Sequence, residues 1–391
     1  MATRTIEEIN ARIRSGEAVV VTASEMAQIV KSEGVQAAFK KVDIVTTGTF
    51  GPMCSSGAII NFGHANPPTK LVDVTLNDVP AYGHLAAVDV YLGATAPSES
   101  RGIEYGGGHV IEDLVAGKRV RLRARNPRPT DCYPGTDVEI FVSLETVNEA
   151  YLFNPRNAYQ NYAAATNSSN RTLYTYMGTL LPRYGNVNFS TAGELSPLLN
   201  DPYYRTIGIG TRIFLGGGTG YVAWQGTQHN PARERDSQGI PKGPAGTLAL
   251  IGDLKQMNPR FLRGATYTGY GCSLYVGVGI PIPVIDEDIA RWSGLSDADL
   301  STVVLDYSVA STSRPVVRAV TYAELRSGAI EIHGKKVPTA PLTSYARSLE
   351  IAETLKQWIQ SGSFELSEPV APLPIDTHFK PLTPAEGGGA E

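Results

Sequence analysis

Ile6, Ile9 and Ile13 recur at helical spacing between Thr5 and Gly16. Thr5 with Glu8 three residues on reads as a capping box, and Gly16 as the helix stop, so a helix is expected between them. The apolar run 18–22 predicts a strand. Helices are then expected over about 24–32 and 35–41, before a second apolar strand, 42–46. This helix–strand alternation predicts an α/β fold, with a mixed α+β arrangement as the alternative. The clearest helix of the chain is expected over 344–360, where Leu349, Ala352, Leu355 and Ile359 share one face.

Between these ends the pattern is mostly that of strands. Positions 71–76 and 138–144 have strand character, 86–92 fits helix or strand, and 110–116 reads as a helix. Residues 118–125 alternate strictly between basic and apolar, as one solvated strand face does. Residues 154–170, rich in Asn, Tyr, Ala and Ser, read as an ordered excursion over the body, and 228–243 as an exposed polar loop. Gly208 and Gly210 have the first spacing of a dinucleotide fingerprint, but Ile213 stands where the third glycine belongs, and no Walker motif occurs. A glycine-rich β core with flanking helices is therefore expected. Arg14-Ser-Gly, Arg326-Ser-Gly and Gln360-Ser-Gly each close an apparent helix ahead of a strand, suggesting one small module used three times.

One stretch stands apart from this periodicity. Thr46-Thr-Gly-Thr-Phe-Gly-Pro-Met-Cys54-Ser-Ser-Gly57 separates two apolar strands with glycines, hydroxyls and a single sulfur. Gly48, Gly51 and Gly57 permit close backbone approach and positive φ. Thr47, Thr49, Ser55 and Ser56 can donate hydrogen bonds to a thiolate, which would lower its pKa. Two readings of Cys54 stand at this point: a thiolate held in a polar loop, or a small apolar side chain in a tight turn. Cys132, within Asn126-Pro-Arg-Pro-Thr-Asp-Cys-Tyr-Pro-Gly135, repeats the setting of a cysteine-bearing loop between strands.

Composition narrows the classes. The chain has 391 residues, 42% hydrophobic and 18% charged, enough for a large core. A net charge of −4 with scattered Lys and Arg argues against a nucleic-acid partner. No apolar run approaches a membrane span, and the first residues lack the apolar region of a secretory signal. Three cysteines are too few for a disulfide framework and fit a reducing cytoplasm. Beyond Pro369, prolines and small residues predict a mobile tail over 371–391.

The motif 45–57, with Asn61-Phe-Gly-His64, Leu76-Asn-Asp-Val-Pro-Ala-Tyr82 and Tyr275-Val-Gly-Val-Gly-Ile-Pro-Ile-Pro283, resembles the homocysteine-biosynthesis family of anaerobic archaea and bacteria. The similarity covers about residues 3 to 370, implying one sulfurtransferase domain over 1–370, with two subdomains as the alternative. Members are L-aspartate semialdehyde sulfurtransferases, which make homocysteine with inorganic sulfur. The resemblance implies two functional cysteines, at Cys54 and Cys132, and a small ferredoxin-like iron–sulfur partner. Some members carry a C-terminal pair of CBS modules, and none is expected in these residues.

The chemistry that the resemblance implies fits the residues. A persulfide on Cys54 or Cys132 would present a nucleophilic sulfur to the aldehyde, and the second cysteine would resolve it, so the two are expected to meet. External two-electron reduction completes the conversion. His64 and His109 are candidate acid–base groups. Ser55, Ser56 and Thr49 are candidate substrate-binding residues, and Arg205, Arg212, Arg260 and Arg263 candidate carboxylate anchors. The alternative is a sulfur-carrier subunit whose Cys54, Cys132 and Cys272 hold an iron–sulfur cluster, without the Cys-x-x-Cys-x-x-Cys run of a ferredoxin. A homo-oligomer is expected.

Overall fold

The computed structural model describes residues 3–382. The fold is mixed αβ, as expected, and among the described residues it contains eight α-helices and several sheets. The largest sheet has 13 strands, and every pairing within it is antiparallel. Its strands run from the edge strand Asp137–Val142 through Val120–Arg125, Asp73–Leu76, Val79–Tyr82, Asp89–Gly93, Gly57–Asn61 and Glu149–Asn157. Leu248–Asp253, Gly218–Gln225, Arg212–Leu215, Gly271–Gly279 and Leu262–Tyr267 continue it, and Thr49–Pro52 branches off Gly271–Gly279. The parallel pairing suggested by the N-terminal alternation is confined to a small sheet, where Val20–Thr22 lies beside Ile44–Thr46. A separate six-stranded sheet contributes two further parallel pairs.

The first helix, Ile6–Ser15, has the anticipated capping box: the Glu8 N–H donates to Thr5 Oγ1, and the Thr5 N–H donates to Glu8 Oε2. Ile9 and Ile13 are buried, and Gly16 takes the left-handed conformation that ends the helix. Gly328 and Gly362 also adopt positive φ after their Ser-Gly stops. A strand follows the second of these, Ala329–Ile332, but none opens directly after the third. The segment 86–92 resolves as the strand Asp89–Gly93, and the segment 110–116 belongs to a helix, Gly107–Val115.

The helix Tyr345–Gln360 positions the cysteine turn. Its buried face comprises Ser348, Ile351, Ala352, Leu355 and Ile359, packed with Ile9, Ile13 and Phe214. Leu349, anticipated on that face, is only half-buried, because the buried face turns toward Ser348, one residue earlier. Ser348 is a polar member of this apolar face for a reason: its Oγ accepts the N–H of Phe50 at 3.1 Å. A Cβ at Gly48 would fall inside contact distance of the Ser348 carbonyl oxygen, so helix and strand approach this closely only with glycine. The expected positive φ is not adopted at Gly48, Gly51 or Gly57. Close approach alone requires glycine there.

The C-terminal segment is tied down further along than expected. The Val370 N–H donates to the Ile209 carbonyl, Ala371–Pro372 pairs with Gly208–Ile209, and Leu373 is buried. His229 Nε2 lies 3.0 Å from the Pro374 carbonyl oxygen. Strand pairing and one apolar anchor thus hold residues 371–374, the start of the anticipated tail, against the body. Ile375 and Phe379 are exposed, and the remainder of that tail, 383–391, lies outside the described residues. No helix among the described residues is long and apolar enough to cross a membrane.

Candidate active site

Half of the stretch 46–57 around Cys54 is strand rather than loop. Thr49–Pro52 pairs with Gly271–Gly279, the Met53 N–H donates to the Leu274 carbonyl, and Gly57–Asn61 opens the next strand. Only residues 53–56 turn, closed by the Ser56 N–H donating to Met53 O at 3.0 Å. Cys54 sits on this turn, half-buried, with Sγ 3.3 Å from Ser273 Oγ. Ser273 follows Cys272 in sequence and was not singled out from it. The hydroxyls expected to reach the sulfur are used elsewhere: Thr47 donates to Ile280 O and Ser55 to Arg156 O, while Ser56 accepts from Asn154 Nδ2.

Cys54 opens into a cavity of about 370 Å³. Thr49, Ser55 and Met53 line it beside the sulfur, and Ser56 lies behind the wall. The end of the strand Glu149–Asn157 supplies Arg156 to the lining, and the excursion beyond it supplies Ala158, Tyr159 and Tyr162. Tyr176, Tyr270, Gln228, Ser190, Thr191 and Ser196 complete the polar lining. Gln228 belongs to the segment expected to be an exposed loop, which instead buries His229 and Ile240. Ala158 and Gln228 both adopt positive φ, at 48° and 60°, a conformation that costs a non-glycine residue energy and tends to concentrate at functional sites.

The tyrosines form a hydroxyl chain. Tyr162 donates to Tyr176 at 3.2 Å, and the Tyr176 and Tyr307 hydroxyls lie 3.1 Å apart. Burial pushes the Tyr159 hydroxyl up to about 12 and raises Tyr162, Tyr270 and Tyr307 as well. All four remain neutral O–H donors at neutral pH, facing or backing the cavity.

The other candidates lie elsewhere. Cys132 is exposed in the connection between Val120–Arg125 and Asp137–Val142. That connection packs on the segment after Gly57–Asn61: the Gly135 N–H donates to Pro68 O, and Tyr133 stacks on His64 at 6.0 Å. Cys54 precedes this five-residue strand and His64 follows it, so the two ends stand at least ~13 Å apart. The expected meeting of Cys54 and Cys132 does not occur in this arrangement, because their turns occupy opposite ends of one strand.

His109 also lies outside the cavity lining. Its Nδ1 accepts the Gly106 N–H at 3.1 Å, capping the helix Gly107–Val115, and burial holds its pKa below the ordinary value. None of the four expected arginines reaches the cavity either. Arg205 pairs with Asp286 at 2.5 Å, Arg260 pairs with Glu350, Arg212 lies over the Phe364 ring, and Arg263 is solvent-exposed. Arg156 was missed. Its only sequence signal was a lone cation inside the polar and aromatic run 154–162.

The alternative cluster set is not assembled. Cys272 is buried, with its Sγ donating to Ile103 O, while its neighbour Ser273 reaches Cys54. Residues adjacent on a strand face opposite ways, so the two sulfurs lie on opposite sides of Gly271–Gly279. Among the described residues no group of three or more His, Cys, Asp or Glu side chains could hold a metal ion. The three sulfurs therefore do not fit a shared cluster.

A half-buried cysteine opening into a small cavity of neutral hydroxyls and one cation defines a cysteine-centred site on a mixed αβ scaffold. Residues 18–366 match the family described as homocysteine biosynthesis enzyme, sulfur-incorporation, and the chain belongs to that family. It is 52% identical over 373 residues to the L-aspartate semialdehyde sulfurtransferase of Methanosarcina acetivorans, covering 95% of this chain and 72% of that protein. It is also 52% identical over 388 residues to the L-aspartate semialdehyde sulfurtransferase of Methanocaldococcus jannaschii, covering 95% and 74%. An uncharacterized protein of Methanothermobacter thermautotrophicus is 31% identical over 335 residues, covering 83% and 72%. No solved structure matches the chain.

Proposed function

We propose that this chain is an L-aspartate semialdehyde sulfurtransferase that forms homocysteine, with Cys54 as the sulfur carrier. The observation that carries the reading is Cys54 itself, half-buried at the wall of a cavity sized for a small substrate. In this reading hydrogen sulfide and the Cys54 thiol together give up two electrons and two protons to an iron–sulfur partner protein, forming a Cys54 persulfide whose terminal sulfur attacks the aldehyde carbon. The new C–S bond forms as the carbonyl π bond becomes an alkoxide. A neutral tyrosine hydroxyl of the cavity lining, Tyr159 or Tyr162, is assigned to protonate that oxygen.

Release of the sulfur from Cys54 and reduction of the resulting hydroxy-thiol then take four electrons and four protons, so over the whole cycle the aldehyde and hydrogen sulfide take up a net two electrons and two protons, giving the thiol and one water. The electrons are assigned to an external donor, a ferredoxin-like iron–sulfur partner. Three free cysteines suit a reducing cytoplasm as the setting. Cys132, exposed at the far end of the strand Gly57–Asn61, is assigned a role separate from the first sulfur transfer.

Anaerobic assay of the protein with aspartate semialdehyde, sulfide and a reductant, followed by thiol analysis, tests this reading. Homocysteine formed by the wild type and not by Cys54→Ser supports it. Homocysteine formed equally by both proteins overturns the role of Cys54.

A further inference from the structure

Arg156 is the one charged side chain among the described residues lining the cavity, and no carboxylate lines it. Its backbone is fixed on both sides: its N–H donates to Asn154 Oδ1 at 3.1 Å, and its carbonyl accepts Ser55 Oγ at 3.0 Å. Its side chain is not. Nε is buried without a hydrogen-bond partner, and Arg156 makes no ion pair among the described residues. Arg212 and Arg314 also bury an unpartnered Nε, but each lays its guanidinium over a ring, Phe364 and Tyr307 respectively, outside the cavity. Burying a cationic donor without a partner is costly, and a planar guanidinium matches a carboxylate through two parallel hydrogen bonds.

We infer that Arg156 binds the α-carboxylate of the substrate and so restricts this site to short aldehydes that carry a carboxylate. The inference rests on the sulfurtransferase reading above and names the residue that selects its substrate. The Ser55–Arg156 hydrogen bond couples the anchor to the turn bearing Cys54. A carboxylate held at Arg156 leaves the aldehyde end of a short chain inside the same cavity as the sulfur. Neutral Tyr159 beside it adds no competing negative charge.

The test compares wild type, Arg156→Gln and Arg156→Lys with two aldehydes: aspartate semialdehyde, and 3-aminopropanal, which lacks the carboxylate. Arg156→Gln is expected to raise KM for aspartate semialdehyde on the order of 10²-fold, with kcat within a few fold, because the lost contact is made equally in ground and transition states. Arg156→Lys should fall between, keeping the charge without the fork. For 3-aminopropanal all three proteins should give the same low kcat/KM. An equal loss toward both aldehydes overturns the inference, and so does a rise in KM for the sulfur donor with KM for the aldehyde unchanged.

Alkylation of Cys54 by iodoacetamide supplies a readout that needs no turnover. Aspartate semialdehyde should protect the wild-type cysteine and protect Arg156→Gln about 10²-fold less well. That pattern without any homocysteine would retain the anchor and remove the sulfur-transfer reading. Homocysteine formed by Arg156→Gln at wild-type KM would retain sulfur transfer and remove the anchor.

Discussion

Ser55 Oγ donates to the main-chain carbonyl of Arg156 at 3.0 Å, joining the turn that carries Cys54 to the end of the strand Glu149–Asn157. Ser55 was anticipated as a substrate contact, and its hydroxyl instead ties two walls of the cavity together. Ser55→Ala should therefore cost about 1 kcal/mol of stability, the usual worth of one hydrogen bond. It should also raise KM for the aldehyde, since sulfur and guanidinium lose their common register. Thermal unfolding and steady-state kinetics measure both. An unchanged KM would mean that the Asn154–Ser56 hydrogen bond holds the turn unaided.

The two remaining cysteines should respond differently from Cys54. Cys272 is buried and donates to Ile103 O, a bond that a serine hydroxyl can keep, so Cys272→Ser should retain most activity. Cys132 is exposed and stands away from the cavity. With a small-molecule reductant supplied, Cys132→Ser should transfer its first sulfur at close to the wild-type rate. Mild oxidation of the isolated wild-type protein should leave Cys54 and Cys132 unlinked, as mass spectrometry of unreduced peptides would show. A readily formed Cys54–Cys132 disulfide would reinstate the relay between them and require the connection 126–136 to move.

His109 predicts a pH dependence of stability. Burial lowers its pKa, Glu112 and Asp113 oppose that shift, and Arg101 reinforces it. Its Nδ1 accepts the Gly106 N–H, which a protonated ring cannot do. Because the folded value lies below the unfolded one, the unfolded chain binds the proton first. The stabilisation is complete above the ordinary histidine value of about 6.5 and is lost as pH falls through the folded value. Wild type should thus lose more melting temperature than His109→Gln between about pH 7 and pH 5. Parallel curves would mean that His109 takes up its proton without disturbing the helix cap.

Much of the architecture was legible where local chemistry decides it. The capping box at Thr5 and Glu8 and the apolar face ending at Ile359 needed only spacing and caps. The antiparallel main sheet was not legible, because strand order depends on pairings between segments such as 57–61 and 149–157, far apart in sequence. For the site, Cys54 stood out through its unusual turn. Arg156 did not, because nothing local separates it from Arg205, Arg212 or Arg260. What distinguishes it is a missing partner: two of the others found carboxylates and one a ring, contacts that form only in the fold. Cys132 was paired with Cys54 by similar loop composition and by the family resemblance, and neither carries information about which end of a strand a loop occupies.

The central claim is that the sulfur of the product passes through Cys54. Cys54 loaded with isotopically labelled sulfur, freed of excess donor and then given aspartate semialdehyde and a two-electron reductant under anaerobic conditions, tests it most directly. The account predicts that the label leaves the Cys54 peptide and appears in homocysteine in equal amount within one turnover. Label that stays on Cys54 while added unlabelled sulfide supplies the sulfur of the product would contradict it.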